Sequence, residues 1–359
     1  MEFISKMSKQ SLALSSCLLL SSALFSPHGF SQENSSVVDS GVIMSKQAQS
    51  WPEHALVGYV DISAVGALAE IKPETVKQYD VITFAFVSNN ATLDATQLDN
   101  INRIKGYEKP GTINLISLGG WGGQSIDSIN KDGLIKLVNQ HGFDGLDLDI
   151  EQVTSGFSAQ REQDNISDLV DELHAQGKFV TIAPAVTHLN PIGFNLPATS
   201  IDVSDWTRNI PFDAVIAQAY NGFPEEMYPS IIGKLYQNIE SAKIVNQHSR
   251  VIVGLPTYGG TQHNVKVNGT TWGSYNVWLG ECNLAKTGQE IVGEVNSFND
   301  STQFGGLSIW SLGTDDGADL YVGSASWQTI GKPDPFCPSV DSASAKGYFS
   351  SDVAPKIYK

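Results

Sequence analysis

In Phe143-Asp144-Gly145-Leu146-Asp147-Leu148-Asp149-Ile150-Glu151, apolar and acidic side chains alternate strictly from Gly145 onward. On an extended strand Leu146, Leu148 and Ile150 point one way, and Asp147, Asp149 and Glu151 point the other. Neighbours on one face stand about 6–7 Å apart. A solvated acidic edge strand has no need of Leu, Leu and Ile behind it. A metal site would more often recruit histidine, and this strand has none. In a closed barrel the apolar face meets covering helices and the three carboxylates face the axis. Burial there disfavours the charged form, and like charges push neighbouring pKa values apart, so the three titrate as a coupled set. A carboxyl kept protonated at the barrel mouth, on Glu151, would be a general acid.

The rest of the chain supports that placement. Eight short apolar runs recur: Ala55–Val60, Val81–Val87, Ile113–Leu118, Phe143–Ile150, Phe179–Val186, Ala214–Tyr220, Val251–Leu255 and Leu307–Leu312. Most follow one another at roughly the 30 residues or more that one βα unit takes. Near-continuous apolar strands separated by helical stretches imply a parallel sheet with covered faces. Helical candidates include Gly133–Asn139, Ser158–Gln176 and Pro229–Asn246. Within the second, Ile166, Leu169, Val170 and Leu173 repeat at i, i+3, i+4 and i+7. The fold class expected is α/β, a single (β/α)8 barrel over residues 55–330. An open doubly wound sheet is the alternative, weakened because no G-x-G-x-x-G follows the first run. In such barrels chemistry sits where strands end.

The flanks read differently. Residues 1–31 resemble a secretory signal peptide: Lys6 and Lys9, a short apolar stretch from Ser11 to Phe25, and small Gly29 and Ser31 ahead of a cleavage site. That predicts export, to the periplasm or the medium, with no integral membrane association after cleavage. Residues 32–54 read as a linker or N-terminal arm, and 331–359 as a C-terminal tail. The two cysteines left after cleavage, Cys282 and Cys337, form an even pair in an oxidising compartment. A disulfide between them is expected to stabilise by about 4 kcal/mol.

Composition narrows the partners. The chain has 359 residues, 22 Lys+Arg against 38 Asp+Glu, and a net charge of −16. Such a surface repels phosphate backbones, so nucleic acid is excluded as a partner, and anionic substrates are disfavoured. The seven histidines form no ligand pattern, the cysteine spacing fits no zinc site, and no G-x-S-x-G appears. Neither a metal nor a cofactor is expected, and a monomer is.

Asp144-Gly145-x-Asp147-x-Asp149-x-Glu151 resembles the D-G-x-D-x-D-x-E signature of family 18 glycoside hydrolases, the chitinase family. Ser117-Leu118-Gly119-Gly120 is similar to the family's S-x-G-G strand. Gln218-Ala219-Tyr220-Asn221 is similar to the bacterial-type Q-x-Y-N form of its sixth strand. Gly306-Leu307-Ser308-Ile309-Trp310 resembles its eighth, which ends in tryptophan. The resemblance spans about residues 55–315, and each motif falls at the end of an apolar run.

The resemblance implies hydrolysis of β-1,4 bonds after N-acetylglucosamine with retention, in which the substrate's own acetamide is the nucleophile. It implies Glu151 as acid and then base, and Asp149 as the group that orients the acetamide and stabilises the oxazolinium charge. Asp147 would hold Asp149 before substrate arrives, with Ser117 and Tyr59 satisfying Asp147 when Asp149 turns toward Glu151. Tyr220 would bind the acetamide carbonyl, with Gln218 and Asn221 beside the same sugar. Trp310 would be its floor and Trp121 a leaving-side platform. Tyr258, Trp272, Tyr275 and Trp278 are weaker candidates for distant subsites, and Asp144 is expected to be structural. Only about 45 residues separate Tyr258 from the eighth run, too few for the α+β insertion of larger members, which implies an open groove and endo action. An endo-β-N-acetylglucosaminidase acting on N-glycan cores would use the same acidic strand. A catalytically silent lectin would normally have lost part of it.

Overall fold

The computed structural model describes residues 49–63, 68, 71–120, 125–190, 201–219, 231–256, 265–267, 270–272, 293–298 and 301–315. The strands are β1 (Ala55–Asp61), β2 (Val81–Val87), β3 (Ile113–Gly119), β4 (Gly145–Asp149), β5 (Phe179–Ile182), β6 (Ala214–Gln218), β7 (Arg250–Pro256), β8 (Val265–Val267), β9 (Thr270–Trp272) and β10 (Phe304–Trp310). The helices are α1 (Pro73–Val76), α2 (Ala95–Lys105), α3 (Lys131–Gln140), α4 (Ala159–Ala175), α5 (Ser204–Asn209), α6 (Ile231–Ala242) and α7 (Leu312–Asp315). Eight parallel strands close in the order β1-β10-β7-β6-β5-β4-β3-β2, and β8 pairs antiparallel with β9 outside the barrel. Because β1 pairs with both β2 and β10, the sheet has no edge, which excludes the open alternative. The expected signal peptide, Cys282, Cys337 and the tail 331–359 lie outside the described residues, as does most of the connection from Tyr258 to β10.

All eight expected runs are barrel strands, with shifted ends. β10 begins at Phe304 rather than Leu307, because Gly305 and Gly306 thin out the apolar signal ahead of Leu307. β4 ends at Asp149, so Glu151 stands just beyond the ladder. α4 starts one residue after Ser158, whose hydroxyl accepts the Arg161 amide hydrogen and so caps the helix. Ile166, Leu169, Val170 and Leu173 form its buried face. α2 was not legible as an apolar stripe: only Ile101 and Ile104 are buried, and a reciprocal cap between Asp94 and Gln97 starts it.

Two apolar layers result. One fills the space between sheet and helices and carries Leu146, Leu148 and Ile150 of the acidic strand. The other fills the barrel interior with Val57, Val81, Ile113, Leu115, Phe179, Ile216 and Ile252. Trp51 packs on this inner layer, edge-on to Phe179 at 5.5 Å. Gly145 occupies the lowest inward position of β4, where a Cβ would stand 2.1 Å from the Phe179 carbonyl oxygen.

A repeated aspartate organises the lower rim. Asp80, Asp144 and Asp213 each immediately precede an even-numbered strand. Their carboxylates accept the backbone N–H of Leu56, Asn114 and Val180 at 3.0, 3.0 and 2.7 Å. Their own backbone N–H groups donate to the carbonyls of those same three residues. Each aspartate carbonyl then accepts from the next odd strand, at Ile113, Phe179 and Arg250. Asp144 is thus a strand-start residue, one of a set of three, at the opposite end of β4 from Asp149.

His174 Nε2 lies 2.9 Å from Asp213 Oδ2. That hydrogen bond raises the His174 pKa above its usual 6.5 against the opposing effect of burial. A raised folded-state pKa stabilises fully below the unfolded value and ceases to do so as pH rises through the folded one. Thermal melts of His174→Ala should therefore fall below wild type at about pH 5 and approach it at about pH 9. A deficit independent of pH would assign His174 to packing alone.

Candidate active site

The inward positions of β3, β4 and β5 lie side by side. Ser117 is in register with Asp147, and Asp147 with Thr181. Asp147 has no exposed surface. Its Oδ2 accepts from Ser117 Oγ at 2.7 Å and from Tyr59 Oη at 3.0 Å, reaching in from β1. Its Oδ1 accepts from Thr181 Oγ1 at 2.5 Å. Burial raises the Asp147 pKa, and the Ser117, Thr181 and Tyr59 hydroxyls pull it back. Three neutral donors make a buried carboxylate tolerable without a cation, because hydrogen bonds to the charged form offset lost solvation.

One step up, Asp149 is 4 % exposed and Glu151 is half-buried. Their side chains are hydrogen-bonded to each other. Two ionised carboxylates only accept, so this contact requires a proton. Burial raises Asp149 most, with the charges of Glu151 and Asp147 adding to it. Burial also raises Glu151, while Gln218 and Asp149 lower it. Both shifts are upward, so the pair favours holding a proton that either carboxyl can carry, Glu151 as the alternating pattern suggests or Asp149 one step deeper. Asp149 lies deeper and between two other carboxyls, whereas Glu151 has neighbours that donate to it.

Gln218, at the end of β6, ties the pair to the barrel wall. Its Nε2 donates to Asp149 Oδ1 at 2.9 Å, Glu151 Oε1 at 3.2 Å and the Ala183 carbonyl at 2.9 Å. Its Oε1 is buried without a hydrogen-bond partner among the described residues.

An aromatic pair stands at the same mouth. Trp310 closes β10 and stacks on Phe86 of β2, centroids 5.2 Å apart at 18°, with Tyr59 tilted against it at 5.8 Å. Gly119 and Gly120 make the arrangement possible. Both have positive φ, 107° and 78°. A Cβ on Gly119 would sit 2.1 Å from the Asp149 carbonyl oxygen, and one on Gly120 2.3 Å from the Phe86 ring. Behind Phe86 a cavity of about 160 Å³ runs past Asn89, Leu118, Gly119 and Ile126.

Tyr59, Ser117, Asp147, Asp149, Glu151, Gln218 and Trp310 are thus brought to one end of the barrel. Tyr220, Asn221 and Trp121 lie outside the described residues, as do Tyr258, Tyr275 and Trp278; Trp272 is in β9. Thr181 and Phe86 were not anticipated. Parity would have found Thr181, the one hydroxyl facing inward from β5. Phe86 reads as one more apolar residue in the run 81–87. Among the described residues no group of three His, Cys, Asp or Glu is placed to hold a metal ion.

Comparisons with known proteins bear on the family and the fold. The family model described as Glycosyl hydrolases family 18 matches residues 55–296. No curated protein matches the chain in sequence. Among solved structures, a putative chitinase A from Streptomyces coelicolor shares the fold with a TM-score of 0.51 at 15% identity, covering 85% of this chain and 98% of that one. A family 18 chitinase from Cycas revoluta in complex with (GlcNAc)4 is similar at a TM-score of 0.49 and 17% identity, covering 73% and 96%. A chitinase-like agglutinin from Robinia pseudoacacia is similar at 0.47 and 15%, covering 74% and 96%.

Thr181→Val keeps the volume near Asp147 and removes one donor. The Asp147 carboxylate then loses part of what lowers its pKa, so the penalty grows as the group ionises. The substitution should destabilise by about 1–3 kcal/mol near neutral pH and by less near pH 4. Denaturant melts at both pH values measure this, and equal losses would show that Thr181 acts by packing.

Proposed function

The chain belongs to glycosyl hydrolases family 18, and we propose that it is a chitinase, hydrolysing β-1,4 bonds between N-acetylglucosamine units of chitin or chitooligosaccharides. The observation that carries this reading is the Asp149–Glu151 pair, held together at the barrel mouth by the Gln218 amide. Burial raises both carboxyls, and a proton that the pair retains at the half-open Glu151 is available to a leaving oxygen.

The reaction follows from those positions. Trp310 supports one face of the sugar, burying C–H surface against its ring. Asp149 orients the acetamide N–H, and the acetamide oxygen attacks the anomeric carbon. Glu151 donates its proton to the glycosidic oxygen as that bond breaks, leaving an oxazolinium beside the Asp149 carboxylate. Glu151, now ionised, takes a proton from the incoming water, whose oxygen opens the oxazolinium with net retention. Asp147, held by Tyr59, Ser117 and Thr181, supplies fixed negative charge below and leaves Asp149 free to serve the substrate. Tyr220 and Asn221 are proposed to complete the acetamide site, and Trp121 the leaving side. The N-terminal segment supports export, and the open groove inferred from the short connection after Tyr258 supports endo action by a monomer.

Cleavage of N-glycan chitobiose cores would use the same pair. The Q-x-Y-N form and Trp121 favour chitin. A lectin on this barrel, such as the chitinase-like agglutinin among the similar folds, is disfavoured by the intact acidic strand.

Hydrolysis of a fluorogenic N,N′-diacetylchitobioside by the chain from residue 32 onward tests the proposal. Wild type should turn over. Glu151→Gln should lose about 10²–10⁴-fold in kcat and Asp149→Ala about 10²–10³-fold. Near-normal turnover of Asp149→Ala would refute the assisted mechanism. Silence of wild type, with release of glycan from a high-mannose glycoprotein, would move the assignment to N-glycan cleavage.

Trp310→Ala should lower kcat on the same substrate by at least about tenfold, because the distorted sugar loses its support. Unchanged kcat, with weaker binding to polymer only, would make Trp310 a remote subsite.

A further inference from the structure

Glu162 is a buried carboxylate that the reaction above does not use. It lies in the first turn of α4 and is 4 % exposed. Its Oε2 accepts from the Ile129 backbone N–H at 3.0 Å and from Asn165 Nδ2 at 3.0 Å. Asn165 Nδ2 also reaches the Ile129 carbonyl at 3.0 Å. Arg161 Nε stands 3.5 Å from Glu162 Oε1. Arg161 Nη2 donates to the carbonyls of Asp127 and Gly156, at 3.2 and 3.1 Å. A buried charge is expensive unless its partners require it, and here both hydrogen-bond donors act on residue 129 of the β3–α3 connection.

That connection reaches the acidic strand. Ile126 forms an isolated parallel bridge with Val153. Its N–H donates to the Gln152 carbonyl at 3.1 Å, and its carbonyl accepts from the Thr154 N–H at 3.1 Å. Just below, the Gly120 N–H donates to the Asp149 carbonyl at 2.8 Å. The backbone on both sides of Glu151 is therefore pinned to the β3–α3 connection. On its other flank Asn89 braces the same segment, donating to the Ser128 carbonyl at 2.7 Å and accepting from the Asn130 N–H at 3.0 Å. β4 ends before Glu151, so the barrel ladder itself does not hold this residue.

We propose that Glu162 is a positioning residue. It fixes the β3–α3 connection at Ile129 and, through the Ile126–Val153 bridge, sets the backbone that carries Glu151. The inference rests on the family 18 reading for its effect on rate, though not for its effect on backbone order. Removing the Glu162 carboxylate frees Ile129 and loosens the bridge. Trp310, proposed to support the sugar, and the Phe86 ring stacked on it belong to β10 and β2 and stay where they are. Loss should then fall on the chemical step, which is sensitive to small misplacement of an acid, and spare binding.

The test compares wild type, Glu162→Ala, Glu162→Gln and Lys109→Ala. The last breaks the Lys109–Asp80 ion pair at the far end of the barrel and controls for general destabilisation. Two readouts are taken: amide hydrogen exchange at Ile126, Ile129 and Thr154, and kcat and KM on the chitobioside. Glu162→Ala should speed exchange at all three amides and lower kcat about tenfold, with KM within about twofold. Glu162→Gln should restore both, because its one oxygen can replace Oε2 and keep both donors. Exchange quickened at Ile129 alone would overturn the proposal, as would unchanged kcat or a matching loss in Lys109→Ala. If wild type is silent on the chitobioside, the functional reading fails and the exchange pattern alone decides the proposal.

Discussion

A carboxylate with no contact with solvent stands in the middle of this barrel, and three hydroxyls keep it there. Asp147 receives one donor from β1, one from β3 and one from β5. All three donors are neutral, so none of them cancels the charge of an ionised Asp147. Everything above it feels that charge. Burial raises the Asp149 pKa most and the Glu151 and Asp147 charges add to it, which favours a proton on the Asp149–Glu151 pair over mutual repulsion. A lysine or arginine at the position of Ser117 or Thr181 would satisfy Asp147 equally well and would lower the Asp149 pKa by opposite charge. Neutral donors hold Asp147 and leave its field intact.

The fold that delivers this arrangement was legible for a simple reason. A parallel strand buried on both faces must be apolar almost throughout, so eight apolar runs at βα spacing announce eight strands. The exception, Asp147 and Asp149 on one face of β4 with Glu151 just beyond it, could be tolerated only at the axis. Parity then set Asp147, Asp149 and Glu151 on the same face, where Asp147 and Asp149 are found buried. What parity could not show was partnership. Thr181 sits in Phe179-Val180-Thr181-Ile182, where a β-branched hydroxyl reads as an ordinary strand former. Its pairing with Asp147 depends on the register between β4 and β5, which no single strand encodes. Phe86 was missed for the converse reason: a ring at the mouth and a ring in the core look alike in sequence. Glu162 looked like an acid in the first turn of a helix, a common surface position near the positive end of the helix dipole.

The two ends of the barrel divide the labour, and aspartate serves both. At the lower rim Asp80, Asp144 and Asp213 lie beyond the strands, where each carboxylate takes an N–H that the ladder leaves unpaired at the strand start. At the upper end Asp147 and Asp149 point into the barrel and take side-chain donors only. The same residue type is structural or reactive according to one question, whether its acceptor capacity is filled by backbone or by groups that can rearrange. Asp144, just before β4, and Asp149, at its end, are five residues apart and give opposite answers.

Rearrangement is what the upper end must permit. Gln218 Nε2 has two hydrogens and three acceptors within reach: Asp149, Glu151 and the Ala183 carbonyl. It cannot satisfy all three fully, so the contact is a balance among them rather than a fixed bond. An incoming amide N–H directed at Asp149 would relieve that competition, releasing Gln218 to Glu151 and the wall. A proton held on Asp149 would at the same moment lose its reason to stay, because a carboxylate that accepts an amide is favoured in its charged form. It would pass to Glu151, its hydrogen-bond partner. On this logic an acetamide arms the acid as it binds, and a sugar without one would leave the proton on Asp149. On the proposed chitinase reading, selectivity for N-acetylated sugars would then come from the same under-supplied hydrogen-bond network.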